Sequence, residues 1–280
     1  MTTLSYQGVS DRVAHDYMEQ HGRVTWHEIE RELATKPSCP KLQSYWQLYD
    51  CGYHKTSGTC TEPDHVVVCP LPSHVLRNGR LNQTAYALYL FIRDIADNDL
   101  VGWIEGQLAS EANAVGPLRN GRLRNALLDP LRHVHGVSDK VLSMALSVLL
   151  LAAPKSKHFW AEVGYSMIAI DTLVHNFLHR TGILRRFHAD HAYGPASYQL
   201  HGCADIIQIV ADEIDATQFN PRFPRAFPRF VQHAIWRYCS DNGLDVCNGN
   251  RINDDDRCDN VYCQLRHMCH RIPLRNALHL

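Results

Sequence analysis

Nine of the ten cysteines in this 280-residue chain fall into two short stretches. Cys39, Cys51, Cys60 and Cys69 form one group, and Cys239, Cys247, Cys258, Cys263 and Cys269 form the other. Only Cys203 stands apart. Such grouping is the strongest constraint on the fold, because gathered thiolates call for a metal while a lone buried cysteine merely packs. Residues 1–17 hold no basic segment followed by an apolar one, so an export signal is not expected. The compartment expected is therefore reducing, either cytoplasmic, as at a bacterial nucleoid, or nuclear. There, cysteine groups point to metal or catalysis before disulfides.

Between and around the cysteines the chain reads as mainly α. Thr25-Trp26-His27-Glu28 is a capping box, and Trp26, Ile29 and Leu33 continue at helical spacing. Residues 36–80 are irregular, rich in Pro, Gly, Cys, His and Tyr, with Val66-Val67-Val68 the one strand signal. From Asn82 a broad apolar face (Tyr86, Leu88, Tyr89, Phe91, Ile92, Ile95) predicts a core helix that stops at Asp97-Asn98-Asp99. Further helices are expected near 140–152, 172–180, 196–215 and 226–239. Three parts follow: a helical hairpin and Cys-rich segment over 1–80, a helical core over 81–180, and further helices with a Cys cluster over 181–280. Val141 to Ala153, the longest nearly apolar run, has 13 residues and is too short to cross a bilayer. Lys plus Arg is 28 against 29 Asp plus Glu, which excludes a polycation or an acidic-tail protein but permits a local basic face.

Val134-His135-Gly136-Val137-Ser138-Asp139-Lys140-Val141 lies between two helical patterns. Gly136 can take a positive φ, and Ser138 or Asp139 can cap the helix that follows. A turn of this kind aims free backbone N–H groups outward, where a phosphate fits. An ordinary inter-helix turn has the same signature. Further on comes Ile168-Ala169-Ile170-Asp171-Thr172, in which Asp171 is by itself a plain helix N-cap. Together these segments resemble the helix-hairpin-helix DNA glycosylases of the endonuclease III family. That family's hairpin reads Leu-x-Gly-Val-Gly-x-Lys-Thr-Ala, and its catalytic aspartate lies in Ile-Ala-Val-Asp-Thr-His. Gly136, Val137 and Lys140 match the first motif, and Ile168, Ala169, Asp171 and Thr172 match the second.

The resemblance runs over about residues 82–270, with a specific core of roughly twenty residues. It implies two helical subdomains with a cleft. It further implies a base-excision glycosylase, bifunctional with AP-lyase activity, in which Lys140 attacks C1′ and Asp171 stabilises the developing positive charge. Gly136, Val137 and Ser138 would hold a DNA phosphate, helped by Arg119 and Arg122. The partner would be double-stranded DNA with a damaged or mismatched base, bound by a monomer. Three departures stand out. Ser138 replaces the family's second hairpin glycine, Lys140 precedes Asp171 by 31 positions with 154–166 as an insertion, and no Ser-x-Gln occurs near 88–99 to fill the gap left by a flipped base.

Many relatives in that family end in four cysteines that hold a [4Fe–4S] cluster, at spacing C-x6-C-x2-C-x5-C. Here the gaps after Cys239 are x7, x10, x4 and x5. Cys239, Cys258, Cys263 and Cys269 are the ligand set expected, with Cys247 as substitute for Cys239 or Cys258, and zinc is the alternative metal. Cys39, Cys51, Cys60 and Cys69, spaced x11, x8 and x8, are read as a second metal site for zinc or Fe–S, since a metal would order that irregular stretch. His175 and His179, i and i+4, could pair as ligands or simply form a polar face. The Pro-, Arg- and Phe-rich run 221–229 suits phosphate contact and base stacking, or a solvated loop. Two other functions stay open: a non-catalytic metal-cluster DNA-binding protein of the same fold, and a zinc protein that binds a protein partner through residues 36–80.

Overall fold

The computed structural model describes residues 11–21, 25–34, 39–54, 57, 59–71, 80–111, 113, 115–116, 119–248 and 252–274. The chain is mainly helical, as its periodicity predicts. It divides into two compact units, residues 1–145 and 146–280. No described helix is long and apolar enough to cross a membrane.

The first unit contains α1 (Asp11–His21), α2 (Trp26–Ala34), the single-turn helices α3 (Tyr45–Leu48) and α4 (Pro63–Val66), α5 (Arg80–Asp94), α6 (Leu100–Ser110) and α7 (Arg119–Leu131). The expected capping box opens α2. The Glu28 amide donates to Thr25 Oγ1 at 3.3 Å, and the Thr25 amide donates to Glu28 Oε2 at 2.7 Å. Helix α5 is the centre of this unit. Tyr86, Leu90 and Phe91 are fully enclosed, with the Phe91 ring edge-on to Tyr45 and Trp103. Two left-handed residues, Asp97 and Asn98, end it, and Asp99 caps α6 by accepting from the Gly102 amide at 2.8 Å.

Val66-Val67-Val68 is not a strand. Pro63 starts a helical turn there, and Val67 is 90% exposed, so the run has no sheet to bury it. Among the described residues the one strand pair lies just upstream, β1 (Tyr53–His54) antiparallel to β2 (Thr59–Cys60).

Helix α8 (Asp139–Leu151) carries the chain from the first unit into the second. The second unit continues with α9 (His158–Ser166), which occupies the segment read as an insertion, then α10 (Thr172–Thr181), α11 (Ile183–Arg186), α12 (Cys203–Asp212) and α13 (Pro228–Cys239). Its core joins Ile168, Ile170 and Val174 to Leu178, Ile206 and Val231. The Cys-rich tail docks on the end of α10, where the His270 amide donates to the Thr181 carbonyl at 3.2 Å and the Ile272 amide to the Arg180 carbonyl at 3.0 Å. Gly182 ends α10 at φ 83°, and a Cβ there would run into the His270 ring. Gly182→Ala is expected to lose about 1–3 kcal/mol through left-handed strain plus this clash. Chemical denaturation against the parent chain checks it.

Candidate catalytic and metal sites

The hairpin forms as its sequence suggests. Gly136 takes φ 77°, the Val137 amide returns to the Val134 carbonyl at 3.3 Å, and the Ser138 carbonyl accepts the first helical bond, from Leu142, at 2.9 Å. Asp139 begins α8, and its carboxylate is held by Arg132 Nε. The negative charge beside the hairpin is thus paired within the unit. Lys140 follows, half-buried in the first turn of α8. Of the two arginines expected at DNA, Arg119 begins α7, and Arg122 is exposed but forms an ion pair with Glu111 at 2.8 Å.

In the second unit, Ile168, Ala169 and Ile170 run buried between α9 and α10 and deliver Asp171 to the helix start. There it is a true N-cap, Oδ1 accepting from the Val174 amide at 3.0 Å, while the side chain stays half-buried rather than enclosed. The segment is pinned by Tyr198, whose hydroxyl accepts from the Ile170 amide at 2.8 Å and donates to the Ile170 carbonyl at 3.3 Å. Tyr193 and Arg229 both lie near enough to feel the Asp171 charge. Lys140 belongs to the first unit and Asp171 to the second.

Helix α10, the loop after α11 and the start of α12 bring together a group that sequence reasoning missed. Ligand atoms of His175, His191 and Cys203 lie within 4.8 Å of one another, and among the described residues this is the one such group of three or more His, Cys, Asp or Glu. His175 Nε2 meets the His191 carbonyl at 3.0 Å, His191 Nδ1 meets the Ala189 carbonyl at 2.6 Å, and His191 Nε2 lies 3.4 Å from Cys203 Sγ. These residues could hold a metal ion. Burial pushes the Cys203 thiol up to about 12. The available signal was the histidine density at 188–201 just before the isolated cysteine. The helical pair His175/His179 is not how the imidazoles are used. His179 turns instead to the Pro273 carbonyl at 3.3 Å and lies 3.9 Å from Asp190.

Cys247, Cys258, Cys263 and Cys269 line one pocket, together with Arg180 and Tyr238. Cys239, first in the expected ligand set, is fully buried and is not part of that lining. Its thiol hydrogen-bonds Cys247, and that bond, with burial, pushes its pKa far up. Cys247 is drawn down by the same bond and by the Arg180 guanidinium, against its own burial. Tyr238 Oη lies 3.3 Å from Cys263 Sγ, and the Arg271 amide donates to Cys269 Sγ at 3.3 Å. Arg180 is 2% exposed; one Nη is paired with Asp254, while Nε and the other Nη have no hydrogen-bond partner. A buried cation with unused donors beside four sulfurs suits an anionic metal–thiolate group.

In the aromatic run over 219–230, Phe219 is exposed, while Phe223, Phe227 and Phe230 are half-buried. Phe223, Phe227 and Phe230 pack on one another with centroids 5.2–6.0 Å apart, and Tyr165 covers Phe227. Those rings form a local aromatic cluster.

Comparison of the chain with protein-family models, curated proteins and solved structures finds no match.

Burial holds His175 and His179 below the ordinary imidazole value. The unfolded chain therefore binds more protons than the folded one between those lowered values and about 6.5, and stability falls as pH drops through that window. Urea unfolding at successive pH values should show this loss. His179→Gln, which keeps an N–H for the Pro273 carbonyl, should flatten it.

Proposed function

We propose that the chain is a DNA base-excision glycosylase with associated AP-lyase activity. The observation that carries the reading is the delivery of Asp171. A buried apolar tripeptide sets a half-buried carboxylate at the head of α10, in the same unit as a four-cysteine pocket. The hairpin around Gly136 supports it by presenting Lys140 at the start of α8. An open basic pocket lined by Arg257, Arg266, His267 and Arg271 beside Cys263 and Cys269 offers a surface for phosphates.

In this mechanism the flipped nucleotide exposes C1′. The Lys140 amine forms a bond to C1′ as the glycosidic bond breaks, with the bonding pair leaving on the base. Asp171 offsets the positive charge that builds on the sugar, and the amine proton passes to the departing base. Opening of the sugar ring leaves an imine to Lys140, and loss of a C2′ proton from it expels the 3′ phosphate and cuts the strand. Arg93 and Asp94 cannot fill the gap in the duplex, because they bind the Gln43 carbonyl and the Tyr45 amide. The side chain that does so lies elsewhere.

Cys247, Cys258, Cys263 and Cys269 would hold the metal group, a [4Fe–4S] cluster. Tetrahedral zinc, with Zn–S bonds of about 2.3 Å, would bring its sulfurs to about 3.8 Å from one another, and these four do not form so compact a group. The cluster would give rigidity to a tail whose described residues form no α-helix or strand after α13. Cys239 serves as hydrogen-bond donor to Cys247.

Borohydride reduction during incubation with abasic and damaged duplexes should trap a covalent adduct. The adduct should vanish in Lys140→Ala, and Asp171→Asn should slow base release about a hundredfold or more. DNA binding with no adduct and no excision on oxidised, alkylated, deaminated and mismatched substrates would instead indicate a non-catalytic protein. Separately, Cys239→Ala should keep the iron content of the tail, whereas Cys247→Ala should lose it, as read by iron and sulfide assay.

A further inference from the structure

The stretch from Cys39 to Leu71 has little to hold it in shape. Its described residues form two single-turn helices, a 3₁₀ turn over Pro40–Leu42 and a hairpin of two residues per strand, over the buried Leu42, Leu48 and Leu71. It nevertheless gathers its four cysteines, and each sulfur is met by an N–H. The Lys41 and Leu42 amides reach Cys39, and the Leu71 amide reaches Cys69. The Glu62 amide lies 3.4 Å from Cys60 Sγ, and Gln83 Nε2 lies 3.4 Å from Cys51 Sγ. A thiol is a weak acceptor, so a donor aimed at every sulfur is an arrangement made for thiolates.

The sulfurs also sense one another. Cys51 and Cys60 lie close enough to Cys39, and all three close enough to Cys69, for their charges to interact. Such a set ionises together only around a cation. These sulfurs do not form a compact group of the kind that His175, His191 and Cys203 make, whereas a single tetrahedral zinc would draw its sulfurs to roughly 3.8 Å from one another. The neighbouring imidazoles do not complete a mononuclear set. His65 faces Glu62 at 2.9 Å, and His54 is exposed.

We propose that Cys39, Cys51, Cys60 and Cys69 ligate an iron–sulfur cluster of their own, distinct from the group held by the carboxy-terminal cysteines. On ligation the four thiols release their protons and their sulfurs bind iron. Gln83 lies on α5 and also donates to the Tyr53 carbonyl at 3.3 Å, so the cluster would be tied to the central helix of its unit. This site does not depend on the glycosylase reading.

The test uses the full chain purified without oxygen. In Cys258→Ala/Cys263→Ala, which dismantles the carboxy-terminal set, roughly two or four iron atoms per chain should remain, with an equal number of sulfides and a brown colour. One zinc without iron, or no metal at all in a chain with unchanged circular dichroism, overturns the proposal. If that variant fails to fold, Cys51→Ala/Cys60→Ala decides. Loss of that same quantity of iron relative to the parent supports the cluster, and undiminished iron overturns it. Because each pair of substitutions removes one set alone, failure here is separate from failure of the carboxy-terminal assignment.

Discussion

Sulfurs packed close together inside a protein cannot all carry charge unless a cation is shared among them. Both cysteine groups are subject to this constraint. In the carboxy-terminal group one thiol, Cys239, keeps its proton and donates it to Cys247, while Arg180 lies buried alongside with donors to spare. In the amino-terminal group the donors are instead four amides and the Gln83 side chain. The described backbone around each group has little regular structure. A metal held at either group would order its segment, as in small domains that fold only around their metal.

The helices were legible because their signals are local. The Thr25–Glu28 box, the apolar face of α5, the break at Asp97–Asn98 and the Asp171 cap all follow from a few adjacent residues, and the structure has each of them. Distant pairings were not legible. Whether Cys239 or Cys247 faces the pocket depends on how the chain leaves α13, where the Val246 and Cys247 amides fold back to the Tyr238 carbonyl. No spacing rule encodes that reversal. His175, His191 and Cys203 meet because an irregular loop folds back over α10, and helical periodicity pointed to His179 instead. Val66–Val68 misled because β-propensity needs a neighbouring strand to act on.

Several charges that look free in the sequence are already engaged. Asp139 is held by Arg132, Arg122 by Glu111, and Arg93 by the Gln43 carbonyl. Basic residues along the chain therefore overstate the cationic surface available to a polyanion. One group of basic side chains, Arg257, Arg266, His267 and Arg271, lines an open pocket in the tail beside Cys263 and Cys269.

The hydroxyl of Tyr198 grips both the amide and the carbonyl of Ile170, one residue before the carboxylate at 171. Tyr198 lies on the same irregular loop as His191, close to the Cys203 sulfur. The acid's position is therefore set by a strut rooted outside its own helix. Any chemistry that stiffens or slackens that loop will be felt as a change in the aim of Asp171.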